Sequence, residues 1–146
     1  MFYTWQNSKM KGGSKMSVLD ISSQVTFLYF ENIEETIEFF EEILGLERVM
    51  DKGWVYVWKV AEKSFIGAVD EKQGSIPVKC RGGFMTSITV KNIEEVYEHL
   101  KKYDLEGMTE LSIVEKVPLK SIFFKGPSGY EFEIQEFINP EDIDIF

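Results

Sequence analysis

The sequence has one cysteine, one histidine and four prolines in 146 residues. A single cysteine, Cys80, excludes an internal disulfide framework and an all-cysteine metal centre. With His99 as the only imidazole, a zinc or iron site would have an unusual ligand set. Basic residues number 16 against 25 acidic ones, a net charge of -9, so the basic footprint that nucleic-acid binding needs is missing. Uninterrupted apolar runs extend over a handful of residues, too short to cross a bilayer as a helix. The start carries Lys9, Lys11 and Lys15 but no apolar h-region, and does not read as a secretory signal. This pattern suits a cytoplasmic protein.

What is present is globular: 44% hydrophobic and 28% charged residues, in a length that suits one domain or two small halves sharing a core. The acidic excess collects in Glu34, Glu35, Glu38, Glu41 and Glu42 and in the tail at Glu141, Asp142 and Asp144, both expected as solvated surface.

A repeat organises the chain. Asn32-Ile33-Glu34-Glu35 with Glu38 recurs 60 residues later as Asn92-Ile93-Glu94-Glu95 with Glu98, and Thr26 recurs as Thr86. Each copy opens with a strand-like run, Val25 to Phe30 and Met85 to Val90, rich in β-branched and aromatic residues. An Asn placed to cap a helix follows, with Glu three residues on. The first helix is predicted from Ile33, Ile37, Phe40 and Leu44 and stopped by Gly45; the second follows Ile93, Val96, Tyr97 and Leu100 and ends near Asp104. Alternating runs come next, at Glu47–Asp51, Gly53–Val60 and Ser64–Val69, then at Ser112–Val117, Lys120–Lys125 and Tyr130–Phe137. The expected class is α+β, with two βαβββ modules in tandem whose curved mixed sheets surround a cleft.

The expected organisation is a leader at 1–22, module one at 23–70, a loose Gly- and Pro-containing linker at 71–83, module two at 84–137 and an acidic tail at 138–146. In the leader, Gly12-Gly13-Ser14-Lys15 lacks both the Gly-Lys-Ser/Thr order and the preceding strand of a phosphate loop, and Met16 is a second candidate start.

Three segments, in order on a repeat, resemble the vicinal oxygen chelate superfamily of glyoxalases, bleomycin-resistance proteins and extradiol dioxygenases. They are Thr26-Phe27-Leu28-Tyr29-Phe30-Glu31-Asn32-Ile33, Phe39-Phe40-Glu41-Glu42-Ile43-Leu44-Gly45-Leu46, and Gly126-Pro127-Ser128-Gly129-Tyr130-Glu131-Phe132-Glu133. The resemblance covers Ser22 to Phe137 and implies a homodimer, sometimes with modules exchanged between chains. It also places four metal-ligand positions at Val25, Gly67, Met85 and Glu133. Only Glu133 suits a hard or borderline divalent ion, since Val and Gly have no donor and a thioether prefers soft metals. Gln24, one residue from Val25, points to the opposite face of its strand. No cofactor is therefore expected, and a divalent metal is disfavoured.

Aromatic residues fill the ligand positions' surroundings instead. Phe27 and Tyr29 alternate with Thr26, Leu28 and Phe30, and Trp54, Tyr56 and Trp58 share a face opposite Val55 and Val57. The aliphatic side is expected on the helix and the three rings in the cleft. In module two, Met85, Ser87 and Thr89 share one face, as do Glu131, Glu133 and Gln135. Rings facing a carboxylate suit a flat or cationic organic ligand. The expected binding residues are Phe27, Tyr29, Trp54, Tyr56, Trp58, Met85 and Ser87, with Glu133 as polar anchor. The expected function is metal-free binding of a small aromatic or cationic molecule, similar to the bleomycin-resistance branch, in drug or toxin tolerance. The alternative is a lyase, isomerase or dioxygenase with an unrecognised metal site, or with Glu133 as general base. Cys80, flanked by Lys79 and Arg81, has no His or Asn placed to activate it as a nucleophile. A third reading is an interaction module that uses its paired copies only to build a dimer surface.

Overall fold

In the computed structural model, which describes residues 18–146, alternating sequence becomes two four-stranded sheets. The Gly12–Lys15 segment and Met16 lie outside the described residues. The first module runs β1 (Gln24–Phe30), α1 (Ile33–Glu38), a π-helical turn (Phe39–Ile43), β2 (Glu47–Asp51), β3 (Val55–Ala61) and β4 (Ser64–Asp70). The second runs β5 (Thr86–Thr89), α2 (Ile93–Leu100), β6 (Ser112–Val114), β7 (Leu119–Lys125) and β8 (Glu131–Phe137), followed by α3 (Pro140–Ile143). Strand orders are β1-β4-β3-β2 and β5-β8-β7-β6. In each sheet the first strand lies parallel to the last and the other pairs are antiparallel. Both modules are therefore the expected βαβββ unit, with one crossover helix joining the parallel pair's first strand to the rest.

The capping signal holds in module one. Asn32 Oδ1 accepts from the Glu35 amide at 3.1 Å, while the buried Thr36 hydroxyl donates to the Asn32 carbonyl at 2.7 Å. In module two Asn92 makes no such cap bond; its side-chain amide donates to Glu95 Oε2 at 2.9 Å. Gly45 stops the first helical run at φ +67°, a conformation that disfavours a side chain. α2 is shorter than its apolar spacing suggested, ending at Leu100 rather than near Asp104, and residues 101–103 form turns.

The core lies between the modules. One face of the first sheet presents the rows Leu28–Ala68–Tyr56 and Thr26–Ile66–Trp58. The matching rows of the second are Ile88–Ile134–Ile122 and Thr86–Phe132–Phe124. The π-helical turn supplies what sits between them. Its wider winding lets two consecutive residues turn inward: Phe40 stacks on Trp58 at 4.7 Å, and Phe39 meets Phe132 at 5.2 Å and Phe124 at 6.3 Å. All of these rings are buried, each contributing roughly 1.5–3 kcal/mol relative to exposure.

This packing corrects the expected face assignment of β3. Tyr56 and Trp58 point to the helix side, with Trp58 fully buried, and it is Val55 and Val57 that share the opposite face with Phe27 and Tyr29. The physical reason is twofold. Phe40 needs a flat surface beneath it, and the Trp58 indole N–H needs an acceptor, which Glu41 Oε1 provides at 3.1 Å. Trp54 is half-buried just ahead of β3 and outside the strand. The acidic tail forms the short helix α3, and Phe146 stacks on Phe137 at 4.7 Å.

Candidate ligand-binding site

The sheet faces turned away from the helices are where the candidate residues lie, because strand parity leaves them there once the core faces are assigned. On the first sheet, register aligns Phe27 with Gly67 and Val57, and Tyr29 with Val69 and Val55. On the second, the equivalent rows are Ser87–Glu133–Phe123 and Thr89–Gln135–Ser121. The pairing of β5 with β8 brings Ser87 and Thr89 to the same face as Glu133 and Gln135.

Glu133 is 6% exposed. Its Oε1 accepts from the Ser87 hydroxyl at 2.5 Å and its Oε2 from the Ser121 hydroxyl at 3.3 Å. Two residues along, Gln135 donates to Thr89 Oγ1 at 2.9 Å. No cation pairs with Glu133 among the described residues. Burial of a carboxylate is costly without hydrogen bonds, and the two serines supply them.

Module one presents an aromatic surface at the equivalent register position. The Phe27 ring lies directly over Gly67: a Cβ built there would stand 2.4 Å from Phe27 Cδ1, so the ring rests where only glycine fits. Tyr29 is pinned more firmly. Its ring lies against Gly74, its hydroxyl accepts from the Ser75 amide at 3.2 Å, and its carbonyl accepts from the Tyr130 hydroxyl at 2.7 Å. The linker that the sequence presents as loose is held across β1. Arg81 donates to the Tyr29 carbonyl at 3.3 Å, pairs with Glu31 at 3.2 Å and with Glu71, and lies over the Tyr130 ring at 5.9 Å.

The expected site residues fall into three groups. Phe27 and Tyr29 line a groove of about 360 Å³ closed by linker residues Ile76–Cys80 together with Phe84 and Tyr130. Met85 and Ser87 line another of about 250 Å³ against Gln24, Thr26 and Phe65, and Glu133 borders neither. Tyr56 and Trp58 belong to the core. Sequence reasoning missed Ser121, Phe84 and the strap itself. Ser121 was discoverable from the pairing of Lys120–Lys125 with the strand of Glu133, whereas nothing local marked the linker as a wall.

The ligand positions that the resemblance implied do not fit a divalent ion within this chain. Val25 and Gly67 carry no donor, the space above Gly67 is filled by Phe27, and Glu133 is bound to two serines. Gln24 donates to Thr26 Oγ1 at 2.5 Å on the helix side. His99 bonds the Ile43 carbonyl through Nε2 at 2.9 Å and its ring meets Tyr103 edge-on, so it fastens α2 to the π-helical turn. Cys80 is exposed and accepts from the Gly82 amide at 3.2 Å. Among the described residues, no helix is long and apolar enough to cross a membrane.

Comparison with known proteins agrees with this geometry. The family model of the Glyoxalase/Bleomycin resistance protein/Dioxygenase superfamily matches residues 23–134. Among solved structures, lactoylglutathione lyase from Agrobacterium tumefaciens superposes with a TM-score of 0.64 at 17% identity, covering 77% of this chain and 90% of that one. The fosfomycin resistance protein FosX from Mesorhizobium loti gives 0.62 at 14% identity, covering 86% and 99%. A curated protein of Chlorobaculum tepidum, which carries the provisional name arsenical pump-driving ATPase, is 24% identical over 135 residues. That match takes in 90% of this chain, which spans about a third (31%) of the relative's length.

Proposed function

The chain belongs to the glyoxalase/bleomycin resistance protein/dioxygenase superfamily, and from that premise we propose that it binds a small organic molecule without a metal, on the sheet faces turned away from its helices. The observation that carries this reading is the Phe27 ring seated on Gly67, which puts an aromatic surface where a metal-using relative would place a ligand. The buried Glu133, held by Ser87 and Ser121 on the second sheet, is the polar anchor, and Phe123 shares its face. A carboxylate without a protein cation beside apolar groups favours an aromatic cation. On this reading the chain works in the cytoplasm as a homodimer; Val25, Phe27, Phe84 and Met85, 37–48% exposed on one chain, are the apolar surface that a second copy would cover. Sequestration of a toxic or drug-like molecule is the role this arrangement serves.

The test is calorimetric titration with phenyltrimethylammonium and, separately, with Mn²⁺, Ni²⁺ and Zn²⁺. Saturable binding of the organic cation, weakened about tenfold (about 1.4 kcal/mol) in Glu133→Gln, is the expected result. Stoichiometric metal binding, or an affinity unchanged in Glu133→Gln, would overturn it. A second reading has its own observation: Glu133 is a buried carboxylate that pairs with no cation among the described residues, the residue type a general base requires. On that reading the protein is a superfamily lyase or isomerase with Glu133 as general base, and turnover of a carbonyl substrate lost in Glu133→Gln would identify it.

A further inference from the structure

We propose that the tail after β8 adds an apolar subsite to the Glu133 face, and that the molecule bound there is an elongated cation with its charge at Glu133 and its apolar end beside Phe146. This inference rests on the Glu133 reading above and adds the length and the orientation of the ligand.

Strand parity is the starting point. Glu133, Gln135 and Phe137 alternate along β8, so Phe137 stands on the face that carries the carboxylate. Four residues of strand at about 3.3 Å each put roughly 13 Å between the two. Phe146 stacks on Phe137 with its plane 14° from parallel. These rings, with Ile143, Thr89, Val90 and Lys91, line a groove of about 290 Å³. Thr89 joins the two places. It borders the groove, and its Oγ1 accepts from Gln135, which stands between Glu133 and Phe137.

Charge sets the orientation. The groove has two charged lining residues, Glu136 and Lys91. Glu136 pairs with Lys120 at 3.7 Å, while Lys91 takes part in no ion pair found among the described residues. The Lys91 ammonium disfavours a second cation in the groove, and the carboxylate of Glu133 favours one at the other end of the row.

The tail itself is closed by side chains. Its Ile143 and Asp144 amides bond the Asn139 and Pro140 carbonyls at 3.0 Å, and the Phe146 amide bonds the Asp142 carbonyl at 3.2 Å. These bonds stay within the tail, so it meets the groove through the Ile143 and Phe146 side chains. Both residues remain open, at 50% and 70% exposure, and burying apolar surface of that kind is what an alkyl or aryl ligand group gains from. The superfamily match ends at residue 134, so Phe137 and the tail lie beyond the matched region.

The experiment titrates the full chain by calorimetry with phenyltrimethylammonium and with phenylalkyl-trimethylammonium ions whose linkers carry two, four and six methylenes. The six-methylene ion is expected to bind at least about tenfold more tightly than phenyltrimethylammonium, since each buried methylene contributes up to about fourfold. Phe146→Ala and Ile143→Ser, both at open positions, should each remove most of that gain and leave the short ion's affinity unchanged. Amide shifts at residues 89–91 and 143–146 should accompany the long ion and be missing with the short one. No gain with length, a gain that survives both substitutions, or a short-ion affinity lost in them would overturn the proposal. So would a changed oligomeric state in Phe146→Ala with the gain intact, which would give the groove to a second copy. Binding of phenyltrimethylammonium without a length gain sinks this inference alone, whereas failure of every ion to bind sinks the Glu133 reading with it.

Discussion

The two modules share a strand plan and a core plan, and differ on the face that meets a ligand. Toward the helices, Leu28–Ala68–Tyr56 and Ile88–Ile134–Ile122 are both core rows, and the next rows each run from a threonine at the sheet edge to a buried ring, Trp58 or Phe124. On the opposite face, Phe27–Gly67–Val57 in module one stands against Ser87–Glu133–Phe123 in module two. The next row repeats the contrast, Tyr29–Val69–Val55 against Thr89–Gln135–Ser121. The constraint differs between the faces. A core position must fill volume against its partners, so exchange among large apolar residues is tolerated only as a set. The outer face answers to whatever it binds, so one module can become an aromatic surface while the other keeps a hydrogen-bonded carboxylate.

The largest way to break the comparison is to strike the face the modules share. Trp58→Ala removes the plate under Phe40 and empties the centre of module one, and should cost about 3–5 kcal/mol. Its counterpart Phe124→Ala should cost a similar amount, because Phe124 packs on Phe39 and Phe132 just as Trp58 packs on Phe40. Urea denaturation of both variants measures this, and a loss below about 1 kcal/mol at Trp58 would return that ring to the outer face.

The outer faces can be exchanged deliberately. Gly67→Glu writes the module-two residue into module one, where its Cβ meets the Phe27 ring, and should destabilise by about 1–3 kcal/mol. Adding Phe27→Ser recreates the Ser87–Glu133 pair in the first sheet and should recover at least half of that loss. The coupling between the two substitutions, read from a double-mutant cycle, is the measure of how far Phe27 owes its place to glycine. Additive effects would mean the ring is seated by other contacts.

How much of this was legible follows the same division. The Asn32/Asn92 repeat, the Gly45 stop and the parity of each strand are local, and they located the modules, the starts of both helices and most strands within a residue or two, while the end of α2 was placed four residues late. Parity grouped Ser87 with Thr89 and Glu133 with Gln135, and the pairing of their strands brings the two sets to one face. It could not say which face of β3 meets the helix, because that depends on Phe40 and Glu41, far from Trp58 in sequence. Nor could spacing at 3.6 residues foresee a π-helical turn that sends both Phe39 and Phe40 inward. The linker was misjudged for a related reason: glycine and proline signal local freedom, while Arg81 binds residues some 50 positions earlier in the chain.

The smallest effect concerns how each module ties its helix to its sheet. Glu41 joins the π-helical turn to β2 and β3 by accepting from Arg48 at 2.5 Å and from the Trp58 indole. The Arg48 bond holds its carboxyl below the ordinary carboxylate range; partial burial opposes this and the Trp58 bond adds to it. In module two the helix-to-sheet pair is Lys120 with Glu94 at 2.5 Å, which lowers Glu94 in the same direction but lies on open surface. A carboxylate lowered on folding adds stability above its unfolded value, and loses it as pH falls through the folded one. Glu41→Gln keeps an acceptor for Trp58 and removes only the charge, so it should cost under about 1 kcal/mol at neutral pH. The gap to wild type should stay level down to about pH 4.5, the ordinary carboxylate value, and close below it. Glu94→Gln, taken through the same pH series of urea melts, should show no such gap, since solvent screens its pair. A gap that widens on acidification would place the stabilising charge elsewhere than on Glu41. Equal profiles for the two variants would mean that shelter beside Trp58 does not distinguish the module-one link from its exposed counterpart.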